Sequence, residues 1–290
     1  VSSISPTDNQ SGVSISDNIS LIFSEKMNTS TIRMSNDNTT CTGTVQISSD
    51  NFSSCVRAAF TKEWTKQLGT SSAEEGRGVM VDSSGNIYVT GLTQGALDGT
   101  NLGSYDIFLA KYNSSGANQW TRQLSTSSGE EGHGVTVDSS GNIYVTGITA
   151  GALDSIVNSG NNDIFLVKYN SSGTKQWTKL LGTSSDEDGN GVTVDSSGNI
   201  YVTGRTGGAL DSIANSGSSD IFLVKYDSTG EKLWTKLLGT SSDDYGFGVT
   251  VDSSDNIYVT GYTAGGLDNN SNSGSLDIFL VKFNSDGVKQ

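Results

Sequence analysis

The chain has 290 residues, 33% of them apolar, with 36 glycines and a single proline. That length accommodates one or two domains, and glycine without proline marks sheets and turns rather than a disordered polar chain. The 17 basic against 31 acidic side chains leave a net charge of −14, which excludes a basic face for nucleic acid and disfavours an anionic membrane surface; no apolar run approaches the ~20 residues of a membrane helix.

Residues 1–60 carry no repeat, and they hold the only proline and both cysteines. The chain opens at Val1 with neither a basic n-region nor an apolar h-region, so it reads as a mature product whose leader has gone. Cys41 and Cys55 have no further Cys or His at metal-ligand spacing, which argues against zinc and for a disulfide. A disulfide implies an oxidising, non-cytoplasmic compartment. Residues 44–48 and 52–57 read as a hairpin across Ser49-Asp50-Asn51, with the cysteines flanking it. A bridge closing ~15 residues is worth about 3 kcal/mol to so small a unit. The stretch ISPTDNQSGVSISDNISLIFSEKMNTSTI resembles the opening of bacterial Ig-like domains at Ser5-Pro6, Gly12, Val13, Ile19, Phe23-Ser24-Glu25 and Met27. The later strands and closing DxxGN segment of that family are absent, so the resemblance implies a partial Ig-like β segment.

From residue 61 onward the sequence repeats. Trp64, Trp120, Trp177 and Trp234 are separated by 56, 57 and 57 positions. Val79, Val135, Val192 and Val249 follow their tryptophans by 15, and Gly91, Gly147, Gly204 and Gly261 follow those valines by 12. The one length difference lies between Leu97 and Asp106, which marks that connection as a surface loop. Each copy holds four strand-like segments: GVTVD at 191–195, NIYVTG at 199–204, DIFLVKYN at 163–170 and KQWTKLLG at 175–182. Ser-Ser-Gly-Asn and Ser-Ser-Gly turns join them, and no helical period of useful length intervenes, so the unit is a four-stranded antiparallel meander.

Face patterning then selects the architecture. Within DIFLVKY, Ile164 and Leu166 point one way and Phe165, Val167 and Tyr169 the other. A sheet with water on one face alternates apolar with polar, whereas these strands are apolar on both. The four sheets are therefore expected to be blades of an all-β, four-bladed β-propeller. Residues 64–290 number 227, beginning with a fourth-type strand and ending after a third-type strand at 277–284. That order fits closure by strand exchange, the opening strand completing the last blade and removing an open edge; a piece of a larger ring or array is the rival. Units such as WTKLLGTSSDEDGNGVTVDSSGNIYVTG followed by DIFLVKYNSSG resemble the bacterial SBBP-type β-propeller repeat over about 61–290. The resemblance implies a propeller in an extracytoplasmic setting and no enzymatic activity.

Three sets of residues are candidates for chemistry. The loops AEEG, GEEG, DEDG and DDYG precede the innermost strands, so Glu74, Glu130, Glu187 and Asp244 are expected as a ring at one channel mouth. Such a ring needs a raised pKa or a hard cation such as Ca2+ to relieve repulsion, with outward-pointing solvated carboxylates as the alternative. Arg77, His133, Asn190 and Phe247 differ among otherwise near-identical units, as do Leu92, Ile148, Arg205 and Tyr262. The first of these sets is the expected ligand position, because the shared core does not constrain it. Asp98, Asp154, Asp211 and Asp268, with Asp106, Asp163, Asp220 and Asp277, read as turn and strand caps.

Catalysis is disfavoured. His133 is the sole histidine, no Ser–His–Asp arrangement surrounds it, and acids repeated in every copy see like environments rather than the unlike ones of an acid/base pair. The four tryptophans are read as packing between sheets, with sugar stacking as the alternative. The functional expectation is a secreted or cell-surface binding and adhesion scaffold with an extracellular protein or glycan ligand. A structural subunit of a fibre or surface layer built from copies of itself is the alternative, and a hydrolase or lyase a more distant one.

Overall fold

The computed structural model describes residues 64–290 together with the backbone of Ser3–Ser5 and Ser20–Ile22. Those two short segments, β1 and β2, pair antiparallel within a unit spanning Val1–Glu63. The remainder of the expected Ig-like segment and the Cys41–Cys55 bridge lie outside the described residues.

The second unit, Trp64–Gln290, is all-β and contains four successive propeller blades. β3 (Glu74–Val81), β4 (Ile87–Thr93), β5 (Asp106–Tyr112) and β6 (Asn118–Leu124) form the first. β7 (Glu130–Val137), β8 (Ile143–Thr149), β9 (Asp163–Tyr169) and β10 (Lys175–Leu181) form the second. β11 (Glu187–Val194), β12 (Ile200–Thr206), β13 (Asp220–Tyr226) and β14 (Lys232–Leu238) form the third. The fourth holds β15 (Asp244–Val251), β16 (Ile257–Thr263) and β17 (Asp277–Phe283). Strands consecutive in sequence are neighbours in every sheet, as short turns between antiparallel strands require.

Local chemistry explains the regularity. In the first hairpin of the third blade, Asp195 Oδ1 accepts the N–H groups of Ser197 at 2.9 Å and Asn199 at 2.8 Å. Its Oδ2 accepts from the Asn199 amide at 2.7 Å and the Tyr201 hydroxyl at 2.9 Å. One aspartate thus closes the turn and ties down the buried tyrosine that follows, which is the expected turn chemistry. The loop before the third strand is closed in the same way, Asp163 and Asp220 accepting the N–H of Ser159 at 2.8 Å and of Ser216 at 2.7 Å.

The alternation read from DIFLVKY becomes two different interfaces. Phe165, Val167 and Tyr169 pack with Tyr88, Ile107 and Leu109 of the first blade. Ile164, Leu166 and Tyr144 pack with Val192, Val202, Phe222 and Val224 of the third. Each sheet therefore has a leading face, turned to the blade before it, and a trailing face, turned to the blade after. The tryptophans fit the packing reading: Trp120, Trp177 and Trp234 stand 6.1–6.3 Å from Tyr88, Tyr144 and Tyr201 of their own sheets. Beyond the tyrosine, Trp120 meets the turn of the next blade at Gly173, where φ is +76° and a Cβ would lie 3.1 Å from the indole.

Strand-exchange closure is the expectation that the structure corrects. Blades contact one another in sequence through their first strands, β3 with β7, β7 with β11 and β11 with β15, and among the described residues no such contact joins β15 to β3. On the leading face of the first blade, Val79 is 68% exposed, where its counterpart Val135 is 8% exposed. On the trailing face of the fourth, Ile278 and Leu280 are 88% and 74% exposed, against 3% and 2% for Ile221 and Leu223. Residues 64–68 form no ladder, and Lys289 bridges Phe283 as Lys232 pairs with Tyr226, so the fourth blade starts a fourth strand of its own. Among the described residues, the outer edge of β17 meets only Lys289 and Gln290, which return along it at Phe283 and Lys282.

Candidate functional site

The first strand of every blade slips register once, between Gly76 and Gly78, Gly132 and Gly134, Gly189 and Gly191, and Gly246 and Gly248. The unpaired residues at these β-bulges are Arg77, His133, Asn190 and Phe247, the set the sequence singled out for a ligand. A bulge frees one residue from the ladder and re-aims its side chain, which is why this position tolerates four different residue types. The second glycine of each pair admits the neighbouring backbone: a Cβ on Gly78 would lie 2.7 Å from the His133 carbonyl oxygen, and one on Gly134 2.9 Å from that of Asn190.

The structure brings these four positions into one row across the innermost strands. Arg77 pairs with Glu131 of the next blade and with Glu75 at 3.1 Å, and its Nη1 lies 2.7 Å from His133 Nε2. His133 Nδ1 lies 3.1 Å from the Gly189 carbonyl oxygen and its Nε2 3.4 Å from Glu131 Oε2. The His133 hydrogen bond and then the Arg77 charge hold the Glu131 carboxyl below its ordinary range. Asn190 donates to the Gly246 carbonyl oxygen at 2.8 Å. Each of the first three side chains thus reaches one blade forward.

Among the described residues, no blade stands ahead of the fourth. Phe247 stands half exposed, 5.7 Å from Tyr262, which stacks on Tyr245 at 4.8 Å with the ring planes 18° apart. The Arg205 guanidinium lies over the Tyr245 ring at 4.9 Å and is held by Asp188 at 2.6 Å. Sequence reasoning noted Arg205 and Tyr262 as variable but missed Tyr245 and Asp188. The signal was available: Leu92, Ile148, Arg205 and Tyr262 lie directly across the ladder from Glu75, Glu131, Asp188 and Tyr245, and DDYG alone puts an aromatic there.

Glu74, Glu130, Glu187 and Asp244 do not form a ring at a channel mouth, nor do they point into solvent as a set. Each turns back onto its own loop. Glu187 accepts the Thr183 N–H at 2.6 Å and hydroxyl at 2.7 Å, and the Thr206 hydroxyl at 2.9 Å. Glu130 receives Thr126 in the same way, Asp244 receives Thr240 at 2.6 and 2.9 Å, and Glu74 receives Thr70 at 2.9 and 2.6 Å. Among the described residues, no three His, Cys, Asp or Glu side chains gather as a metal site, so the set does not assemble a Ca2+ centre. The reason is the spacing: a threonine four residues upstream offers two donors to a carboxylate that the fold buries.

Burial leaves a different electrostatic feature. Glu130, Glu187 and Asp244 are fully buried, as are Asp106, Asp163 and Asp220 at the preceding blade's third strand. Burial, and after it the charge of Asp106, pushes the Glu130 carboxyl up. Burial likewise raises Glu187, with Asp163 adding to it, and raises Asp220, with Asp244 adding to it. Asp106, Asp163 and Asp244 each keep one buried carboxylate oxygen without a hydrogen-bond partner. Each blade junction thus holds two buried carboxyl groups within reach of one another's charge.

On the leading face of the first blade, residues 64–68 cover a cavity of about 470 Å3 lined by Trp64, Leu68, Val79, Val89, Phe108 and Tyr112. It is a vacant blade junction rather than an assembled set of reactive groups.

Comparison with known proteins agrees with the fold. Residues 63–97, 119–153, 176–210 and 233–268 match the family model described as SBBP, beta-propeller repeat, so the chain contains four such repeats. An uncharacterised WD repeat-containing protein of Acanthamoeba polyphaga mimivirus is 25% identical over 69% of this chain and 18% of its own length. The regulatory protein FlaEY of Caulobacter vibrioides is 27% identical over 56% of this chain and 19% of its own. The chain thus spans about a fifth of the curated relatives it matches. Among solved structures, a gluconolactonase from Xanthomonas campestris aligns at 12% identity and a TM-score of 0.41, covering 74% of this chain and 60% of that one. An ulvan lyase aligns at 16% and 0.43, covering 72% and 53%.

Proposed function

We propose that the four SBBP repeats serve as a non-enzymatic binding scaffold on the extracellular or outer cell-surface side, contacting a protein or glycan ligand through the row of bulge residues. The observation that carries this reading is the Tyr245–Phe247–Tyr262 cluster beside the Arg205–Asp188 pair. A half-exposed phenyl ring beside two partly buried tyrosines and a fixed charge pair suits a sugar ring or an aromatic side chain that also offers hydrogen-bonding groups. In the other blades the same positions are filled by Glu75, Arg77, Glu131, His133 and Asn190, which engage one another or the next blade's backbone. The non-enzymatic part is supported by those engagements: His133 is held between Arg77 and the Gly189 carbonyl oxygen, and the repeated acids by the threonines of their own loops. The outer-surface placement rests on the kind of repeat and on the two cysteines.

The test is a glycan and protein array probed with the chain, with and without Ca2+, then repeated with Phe247→Ala and Tyr262→Ala. Loss of affinity by about tenfold or more in both variants supports the site. Binding unchanged by both removes it.

A further inference from the structure

The bulge row uses one end of the innermost strands. The other end of β3 and β7 borders a cavity of about 470 Å3 between the first two blades, within the range of about 300–1,000 Å3 common to small-molecule sites. Met80, Tyr88 and Val137 form its floor, and the turns that follow β3 and β7 wall it together with Lys111. It lies between consecutive blades rather than on an end face of the array.

The three junctions can be compared at this place. In the second and third, Lys168 and Lys225 donate to the carbonyl oxygens of Ser228 and Ser285, each at 3.0 Å, whereas Lys111 stays 3.5 Å from that of Ser171, beyond a good hydrogen bond. The third junction adds a bond from turn to turn, Ser196 to Asp255 at 3.4 Å. The sequence supplies a reason for the looser first junction. Met80 packs against its core and stands where the other copies have Thr136, Thr193 and Thr250. A close-packed interior takes up a longer side chain by shifting what lies against it.

What the groove offers a ligand is restricted. Asp82 accepts the N–H groups of Ser84 and Asn86, the Asn86 amide and the Tyr88 hydroxyl at 2.8–3.1 Å. Asp138 accepts the matching four donors at 2.8–3.0 Å. Both carboxylates thus have their lone-pair positions filled. A cation finds no free carboxylate oxygen on either, and an anion meets two negative charges. The groups that remain are the exposed hydroxyls of Ser83, Ser84, Ser139 and Ser140, which make no hydrogen bond among the described residues, and the Lys111 ammonium with its one long contact.

We propose that this groove is a second binding site, for a neutral carbohydrate. Hydroxyl and ammonium groups at the rim meet the ring hydroxyls, and the apolar floor takes the C–H face of the sugar, the usual division of labour in a small-molecule site. The site is separate from the bulge row, which lies at the opposite end of the same strands.

Amide NMR shifts of the isotope-labelled chain, titrated with glucose, N-acetylglucosamine, maltose, cellobiose and lactose to high millimolar concentration, test it. At least one sugar is expected to move the amides of residues 83–86 and 139–142 saturably. Met80→Thr and Lys111→Met are each expected to weaken that binding about tenfold or more. Met80→Thr installs the residue of the other copies, so its fold is retained, and its own spectrum checks that. Glucuronate, the charged counterpart of glucose, is expected to bind more weakly than glucose. No saturable shift with any of the five sugars overturns the proposal, as does an affinity unchanged in either variant. Shifts confined to Phe247 and Tyr262 belong to the bulge row and overturn it too, and glucuronate binding as tightly as glucose removes the neutral ligand.

Discussion

Ile221 and Ile278 occupy the same place in the same DIFLVK segment, and they differ in whether a blade stands against them. Ile221 is buried in the third junction among Leu223, Val259, Phe279 and Val281, whereas Ile278 faces out from the last sheet. Replacing Ile221 by Ala removes three heavy atoms from a site whose neighbours are fixed by ladders on both sides, so little of the cavity can collapse. The expected loss is about 3 kcal/mol, mid-range for buried aliphatic truncations. Ile278→Ala is expected to change stability by less than about 0.5 kcal/mol, as exposed substitutions do. Urea unfolding followed by tryptophan fluorescence reads both, since Trp234 packs on Tyr201 at that junction, and it is run at dilution so that self-association contributes nothing. Equal losses for the two variants would refute the open array. A silent Ile221→Ala would refute the larger claim that stability resides between sheets, as in a chain whose repeats are held by nearest-neighbour interfaces.

Three other outcomes are expected. Glu130, Glu187, Asp163 and Asp220 are raised by burial, so their folded pKa exceeds the unfolded value. Their stabilising contribution is complete below the unfolded pKa and lost as pH rises through the folded one. Asp252 runs the other way, pulled down to about 2 by the Asn256 amide, its contribution being lost only in stronger acid. The melting temperature should therefore rise as the pH is lowered from neutrality toward the ordinary carboxylate range and fall again well below it; a monotonic decline from neutrality contradicts the assignment. Glu130→Gln removes the charge but leaves one acceptor oxygen where Thr126 uses two, so it should flatten the pH dependence of the melting temperature. Gly173→Ala forces a left-handed φ on an L-residue and presses a methyl on Trp120, costing about 1–2 kcal/mol, visible in thermal unfolding as a loss absent from an alanine at the exposed Ser172.

Much of the candidate site was legible because the copies act as controls for one another. Where Arg77, His133, Asn190 and Phe247 interrupt near-identical text, the fold must release that residue, and the β-bulge is the release. Tyr245 was missed because its importance comes from standing across the ladder from Tyr262, a register that spacing alone does not reveal. The carboxylate ring was misplaced for a related reason. Repetition in sequence was read as convergence in space, but Thr183 sits four residues before Glu187 and captures it within its own loop.

Strand identity, turn chemistry, sheet order and the stacking of sheets were all determined by the chain alone. Each depends on interactions within about sixty residues, and on an alternation that leaves both faces of a sheet in need of cover. Whether the stack comes back to its own beginning was decided only by the tertiary structure. Closure requires residues 64–68 to meet β17 at the opposite end of the unit, a pairing that no pattern within one repeat encodes. Among the described residues, Val79 on β3 and Ile278 on β17 stay exposed instead.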